Sequence, residues 1–129
     1  MCRDPVELLQ VSWLEVTGSL DLARLEKGQD YTVSFKLRLK PDAFGWADSP
    51  VYLLAKPGKS GPYNWKRSDL SLLKPGEITS VPQNSVLKFT VPEKFAADDK
   101  LLFGMYEIWK GRWKGGLVIH EVVIEPFNG

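Results

Sequence analysis

The chain is poor in the residues from which small catalytic and metal centres are built. It has one cysteine, Cys2, and one histidine, His120, in 129 residues. A single cysteine excludes an internal disulfide, and together the two exclude a Cys/His zinc site made by one chain. Little material remains for Cys–His or Ser–His–Asp nucleophilic catalysis. His120 lies in an apolar run and reads as a structural histidine. The formal net charge of +1 offers no bulk field to draw nucleic acid or an anionic membrane. No apolar run approaches transmembrane length, and the opening MCRDPVELLQ has no run of signal-peptide type. With the lone cysteine, this favours a reducing, cytosol-like compartment. Nucleotide-binding glycine patterns are missing. Asp42 with Asp48, and Asp98-Asp99, lack calcium-loop spacing. Glu107 with Glu121 is a carboxylate pair that sixteen acidic residues make inevitable by chance. The expectation is a protein with no cofactor, no metal and no catalytic role.

Long helices are also excluded. Nine prolines and eleven glycines punctuate the chain too often for them. What remains is strand pattern. Tyr31 to Leu39 alternates apolar and polar residues without a break, the signature of a strand with one face on a core. Leu87 to Val91 repeats this briefly. Val51 to Ala55 is short, apolar and bounded by Pro50 and Pro57, and reads as a wholly buried strand. Leu101 to Trp109, Leu117 to Ile124 and Val11 to Thr17 are further strands, the last expected to come first and to close at Gly18. Short helices are expected only at Val6–Gln10, Leu20–Leu25 and Glu93–Ala97. The fold expected is all-β: an antiparallel β-sandwich of jelly-roll type with short helices in loops. Residues 1–10 read as an N-terminal segment and 11–129 as a single domain. Residues 40–69 form the longest irregular stretch.

Aromatic residues are plentiful where cysteine and histidine are scarce. Five tryptophans, Trp13, Trp46, Trp65, Trp109 and Trp113, exceed what a small core needs. An aromatic ring that stacks on the apolar face of a pyranose, beside carboxylates and amides that bond its hydroxyls, makes a sugar site. Residues 105–116 offer both chemistries. In a strand over 101–109, Glu107 and Trp109 share one face, while Leu102, Gly104, Tyr106 and Ile108 share the other. Glu107 then accepts sugar hydroxyls or pairs with Lys110 or Arg112; Trp113 stacks or joins the core. Trp46, Tyr63 and Trp65 lie in loops and are stacking candidates or loop anchors. Trp13, inside a strand, reads as core. The basic residues among these aromatics suit weak RNA binding or a solvated face.

Val11-Ser-Trp-Leu-Glu-Val-Thr-Gly18, the strand Tyr31–Leu39, and Trp113-Lys-Gly-Gly-Leu-Val-Ile119 with Ile124-Glu125-Pro126 resemble, in order, three motifs of the Nictaba-like plant phloem lectins. The aromatic stretch 44–65 is most similar to that of the short cucurbit phloem-exudate lectins. The resemblance implies a jelly-roll sandwich that binds N-acetylglucosamine oligomers (chito-oligosaccharides) and N-glycan cores without catalysis. It implies a cytoplasmic location in phloem sieve-element and companion-cell sap, a homodimer, and no membrane. For cucurbit members it implies disulfide linkage to phloem filament protein, a role open to Cys2, and RNA transport. A filament-linking interaction protein is therefore the alternative to a lectin. Glu107 matches a family sugar-binding glutamate; a second such glutamate falls at Lys100 here. The family's upstream tryptophans have no counterpart in Met1–Gln10, which holds no aromatic residue. Stacking is then expected from Trp46, Tyr63, Trp65 and Trp109.

Overall fold

The computed structural model describes residues 14–47, 49–83, 85–107 and 113–127, and the backbone alone of residues 2–8. Among the described residues nine strands follow one another: β1 (Cys2–Leu8), β2 (Leu14–Asp21), β3 (Asp30–Phe44), β4 (Val51–Pro57), β5 (Asn64–Ser68), β6 (Thr79–Val81), β7 (Leu87–Thr90), β8 (Lys100–Glu107) and β9 (Gly115–Pro126). They form two antiparallel sheets. One has the order β1-β9-β3-β6, with β7 also paired to β3; the other has the order β2-β8-β4-β5. The result is the expected all-β sandwich of jelly-roll type.

Period-two alternation builds the core. On β3, Tyr31, Val33, Phe35, Leu37 and Leu39 point inward, while Thr32, Ser34, Lys36 and Arg38 point out. They meet Val51, Leu53 and Ala55 of β4 and Leu101, Phe103 and Met105 of β8 from the opposite sheet. Tyr31 stacks on Phe89 of β7 with centroids 5.7 Å apart. The alternation on β9 slips once. Lys36 pairs with Glu121 but Leu37 with Ile119, so His120 is an extra residue, a bulge. The bulge lets Ile119 and Val122 both face the core. Arg38 donates its Nε–H to His120 Nε2 at 3.2 Å, which gives this histidine a structural role.

Several expectations are corrected. Val6–Leu8 is strand rather than helix, and Cys2–Leu8 pairs antiparallel with β9. Leu20 belongs to β2, opposite Leu101, so only Leu22–Arg24 forms a single 3-10 turn. Glu93–Ala97 is not helical. β2 does not close at Gly18: a Cβ there would lie 2.6 Å from the Phe103 ring, so the glycine makes room for a core aromatic in mid-strand. The stretch 40–69 holds the end of β3 and all of β4 and β5.

Leu37 is fully buried at the centre of β3. Leu37→Ala should therefore cost about 2–5 kcal/mol. Urea denaturation should show a lower midpoint with an unchanged slope.

Candidate functional site

The outer face of the four-stranded sheet follows from its register. Glu15 pairs with Tyr106, Tyr106 with Tyr52, and Tyr52 with Arg67. The next row on this face is Thr17, Gly104, Leu54 and Trp65. The third is Ser19, Leu102 and Lys56, with Tyr63 just before β5. Cross-strand neighbours lie about 5 Å apart, so these side chains form one continuous surface. Three tyrosines, a tryptophan and two leucines make it apolar, and Glu15 and Arg67 close its first row at either end.

The aromatic groups are accessible. Trp65 is 58% exposed and Tyr63 65% exposed. The Tyr52 and Trp65 rings are 5.7 Å apart and tilted by 52°, so together they present a shallow, angled wall. Gly104 leaves a dip between them and β2, and the Tyr106 ring leans over it: a Cβ on Gly104 would lie 3.0 Å from that ring. Tyr63 is held by Lys56. The Lys56 ammonium lies 5.3 Å from the Tyr63 ring centre and donates to the carbonyl oxygens of Gly58, at 2.7 Å, and Lys59. Partial burial raises the Tyr106 phenol above its ordinary range, with the Glu15 carboxylate and the Tyr63 phenol adding to the rise. Tyr106 is thus a neutral hydroxyl, donor and acceptor, across the physiological range. Beyond β5 the surface turns into a groove bordered by Tyr63, Trp65, Lys66, Val86 and Lys88. The apolar cavity between β2 and β9, of about 50 Å³, has room for a few waters and no sugar ring.

The residues expected to bind sugar divide sharply. Tyr63 and Trp65 come together on this face. Trp46 does not: it is 3% exposed, and its indole N–H donates to the Gly115 carbonyl at 2.9 Å. It is a core residue that ties the turn after β3 to the start of β9. Glu107 is likewise turned inward. It is 1% exposed and lies 3.0 Å from the ammonium of Lys114, itself fully buried. A carboxylate in that position meets a lysine rather than a hydroxyl from solution. Trp113 is 59% exposed beyond this end of the sandwich. Trp13 and Trp109 lie outside the described residues. Cys2 is placed by backbone register opposite Glu121, on the edge strand of the five-stranded sheet.

Sequence reasoning missed Tyr52 and Tyr106. It grouped Tyr106 with Leu102 and Gly104 correctly, but took Glu107 to be on the wet side. The available signal was the run Tyr52-Leu53-Leu54-Ala55-Lys56, which places a tyrosine and a lysine on one face of β4.

The family model "PP2: Phloem protein 2" matches residues 2–126. The chain belongs to the phloem protein 2 family. Its members are lectin-like phloem proteins. Arabidopsis thaliana Phloem Protein 2-like A9 is 46% identical over 132 residues, covering 95% of this chain and 72% of its own length. Phloem Protein 2-like A1 from the same plant is 41% identical over 129 residues, covering 95% of this chain. The chain spans only 48% of that relative. A solved cyclase from Fischerella sp. TAU overlays 91% of this chain, and 58% of its own, with a TM-score of 0.46 at 13% identity. That likeness carries no argument about function.

Two outcomes test the geometry. Glu107→Gln leaves the buried Lys114 ammonium without its carboxylate and should cost about 3–5 kcal/mol. Glu107→Leu with Lys114→Met should recover much of that loss, as a double-mutant cycle by chemical denaturation would show. At high pH, the raised Tyr106 phenol keeps its proton in the folded state after the unfolded chain has lost it. Stability is then complete below the unfolded value and falls as pH rises through the folded one. Tyr106→Phe should flatten this alkaline decline, read as denaturation midpoints from neutral pH to above 10.

Proposed function

We propose that this phloem protein 2 member is a non-catalytic lectin for N-acetylglucosamine oligomers and N-glycan cores, which it holds on the outer face of the four-stranded sheet. The observation that carries the reading is the gathering of Tyr63, Trp65, Tyr52 and Tyr106 on one accessible surface. The C–H face of a pyranose and the methyl of an N-acetyl group are apolar and pack on such rings. Hydroxyl and amide groups at the sugar's edge meet the Tyr106 phenol, Glu15 and Arg67. Family resemblance supports the choice of sugar. The flatness of the face suits an extended oligomer better than a single buried monosaccharide. Trp113, exposed beyond the end of β8, is the candidate for touching the far end of a longer oligomer. The setting proposed is phloem sap.

Calorimetric titration with chitotriose tests this. The unmodified chain should release heat and saturate. Trp65→Ala should weaken binding about tenfold or more, about 1.4 kcal/mol. Tyr63→Ala should do the same to a lesser degree. No heat from the unmodified chain, or full affinity in both variants, would overturn the proposal.

A further inference from the structure

Strand β5 is an edge of the four-stranded sheet, and among the described strands β4 is its only partner. Asn64 pairs with Ala55 and Lys66 with Leu53, and both β4 residues point into the core. Period two therefore turns Asn64 and Lys66 to the inner side of β5, while Trp65 and Arg67 turn to the outer face. Within the sheet that inner side is core. At β5 it opens instead toward β7 of the other sheet, with Val86 just before that strand. The space between the two strands is a groove of about 440 Å³, within the range of small-ligand sites. Tyr63 and Trp65 form one rim, so the groove is continuous with the aromatic face. Its charge is not that of the face. Lys66 and Lys88 both line it, and no aspartate or glutamate does among the described residues. Lys66 is half-buried, and its ammonium has no ion pair or hydrogen bond among the described residues. Lys88 reaches Asp30 only at 3.8 Å, with both side chains open to water, so its charge is only partly offset. Asn64 donates its side-chain N–H groups to the carbonyls of Ala55 and Pro62, which leaves its side-chain oxygen as an acceptor.

We propose that this groove is an acidic subsite, through which the protein takes oligosaccharides that carry a hexuronate. A neutral residue stacks on Tyr52 and Trp65, and the hexuronate turns over the β5 edge so that its carboxylate meets Lys66 and Lys88. The subsite rests on reading the aromatic face as a sugar surface. A hexuronate keeps the apolar C–H face that packs on Trp65 and adds one carboxylate, which accepts from both ammonium groups. Its ring hydroxyls donate to the Asn64 oxygen. Arg67, on the same strand, makes the β5 end of the face positive, whereas Glu15 stands at the other end. A deacetylated amino sugar has a similar outline but a positive charge, and the same lysines repel it. The groove thus sorts sugars by charge, which stacking on the aromatic rings alone cannot do.

Calorimetry on the full chain with two matched probes tests this. One is a hyaluronan tetrasaccharide, in which glucuronate alternates with N-acetylglucosamine. The other is the same tetrasaccharide with its carboxylates reduced to alcohols. The unmodified chain should prefer the acidic probe by about fivefold at low salt, and the preference should shrink as salt rises. Lys66→Gln should lower the preference, and Lys66→Glu should abolish or reverse it. The salt series on the unmodified chain keeps the test independent of how either variant folds. Equal affinity of the unmodified chain for the two probes, or a preference that survives Lys66→Glu, would overturn the subsite. Chitotriose separates this from the sugar reading on which it rests. If chitotriose is bound while the two probes do not differ, the subsite alone falls. If the acidic probe is bound and chitotriose is not, the subsite stands and the choice of N-acetylglucosamine oligomers falls. If none of the three is bound, both fall.

Discussion

Glu107 ends β8 and Lys114 immediately precedes β9, so their contact at 3.0 Å joins one sheet to the other, with neither side chain open to solvent. A buried pair of this kind contributes little net stability compared with apolar residues of the same shape, because desolvation offsets most of the attraction. Its strength lies in what it forbids. Any arrangement that pulls the two apart separates opposite charges that lie in the core. The neighbouring contacts depend on this closure. The indole of Trp46 reaches Gly115, the residue next to Lys114. Gly45, at φ 83°, has the Trp113 carbonyl where a side chain would begin: a Cβ there would lie 2.1 Å from it. At Gly116, with φ 77°, a Cβ would lie 2.6 Å from the Ala43 Cα. Only glycine fits at either place, since each needs both a left-handed backbone and the missing side chain.

The same pair decides which way β8 faces. With a period of two, an inward Glu107 requires Tyr106, Gly104 and Leu102 to face out. Those residues supply one strand of the aromatic surface, and Tyr52 and Trp65 on the adjoining strands complete it. A charged residue in the core and a leucine in water are thus consequences of one choice of face. The choice costs something, since Leu102 is 48% exposed, and an apolar surface left in water on a small monomer is usually there to be covered. The opposite outer face shows the contrast. There Lys36 pairs with Glu121 and Lys88 with Asp30, between threonines and serines, as an ordinary solvated sheet surface does.

Much of this was readable in the sequence. Tyr31 to Leu39 declares its strand and its buried face, because one face is apolar and the other polar. β8 does not, because both of its faces are largely apolar. Periodicity reports that Tyr106 and Glu107 lie on opposite faces, but not which face meets the other sheet. A lone glutamate then draws the guess toward water, since charges are seldom buried without a partner. The partner, Lys114, is seven residues along the chain and belongs to the other sheet, which no local pattern reveals. Trp46 misled for a related reason. Its neighbours are loop-forming residues, and its burial depends on Gly115, sixty-nine positions away. β5 and β6 escaped notice because strands of five and three residues leave too few alternations to recognise.

The surface that results is stiff in a way that bears on recognition. Tyr52, Leu54 and Tyr106 stand on strands paired on both sides, so their backbone cannot move without breaking two ladders at once. Trp65 stands on an edge strand, but its ring rests against Tyr52. Tyr63 precedes that strand and would be the loosest of the group. Lys56 limits it by bonding two carbonyls of the preceding turn while its ammonium faces the ring. Rings already held in place lose little conformational freedom when a ligand settles on them, so more of the stacking energy survives as affinity. An extended oligomer crossing from β8 to β5 would meet the rigid tyrosines first and the more adaptable Tyr63 last. The order of rigidity across the sheet therefore argues for a fixed central contact with tolerance at its outer end.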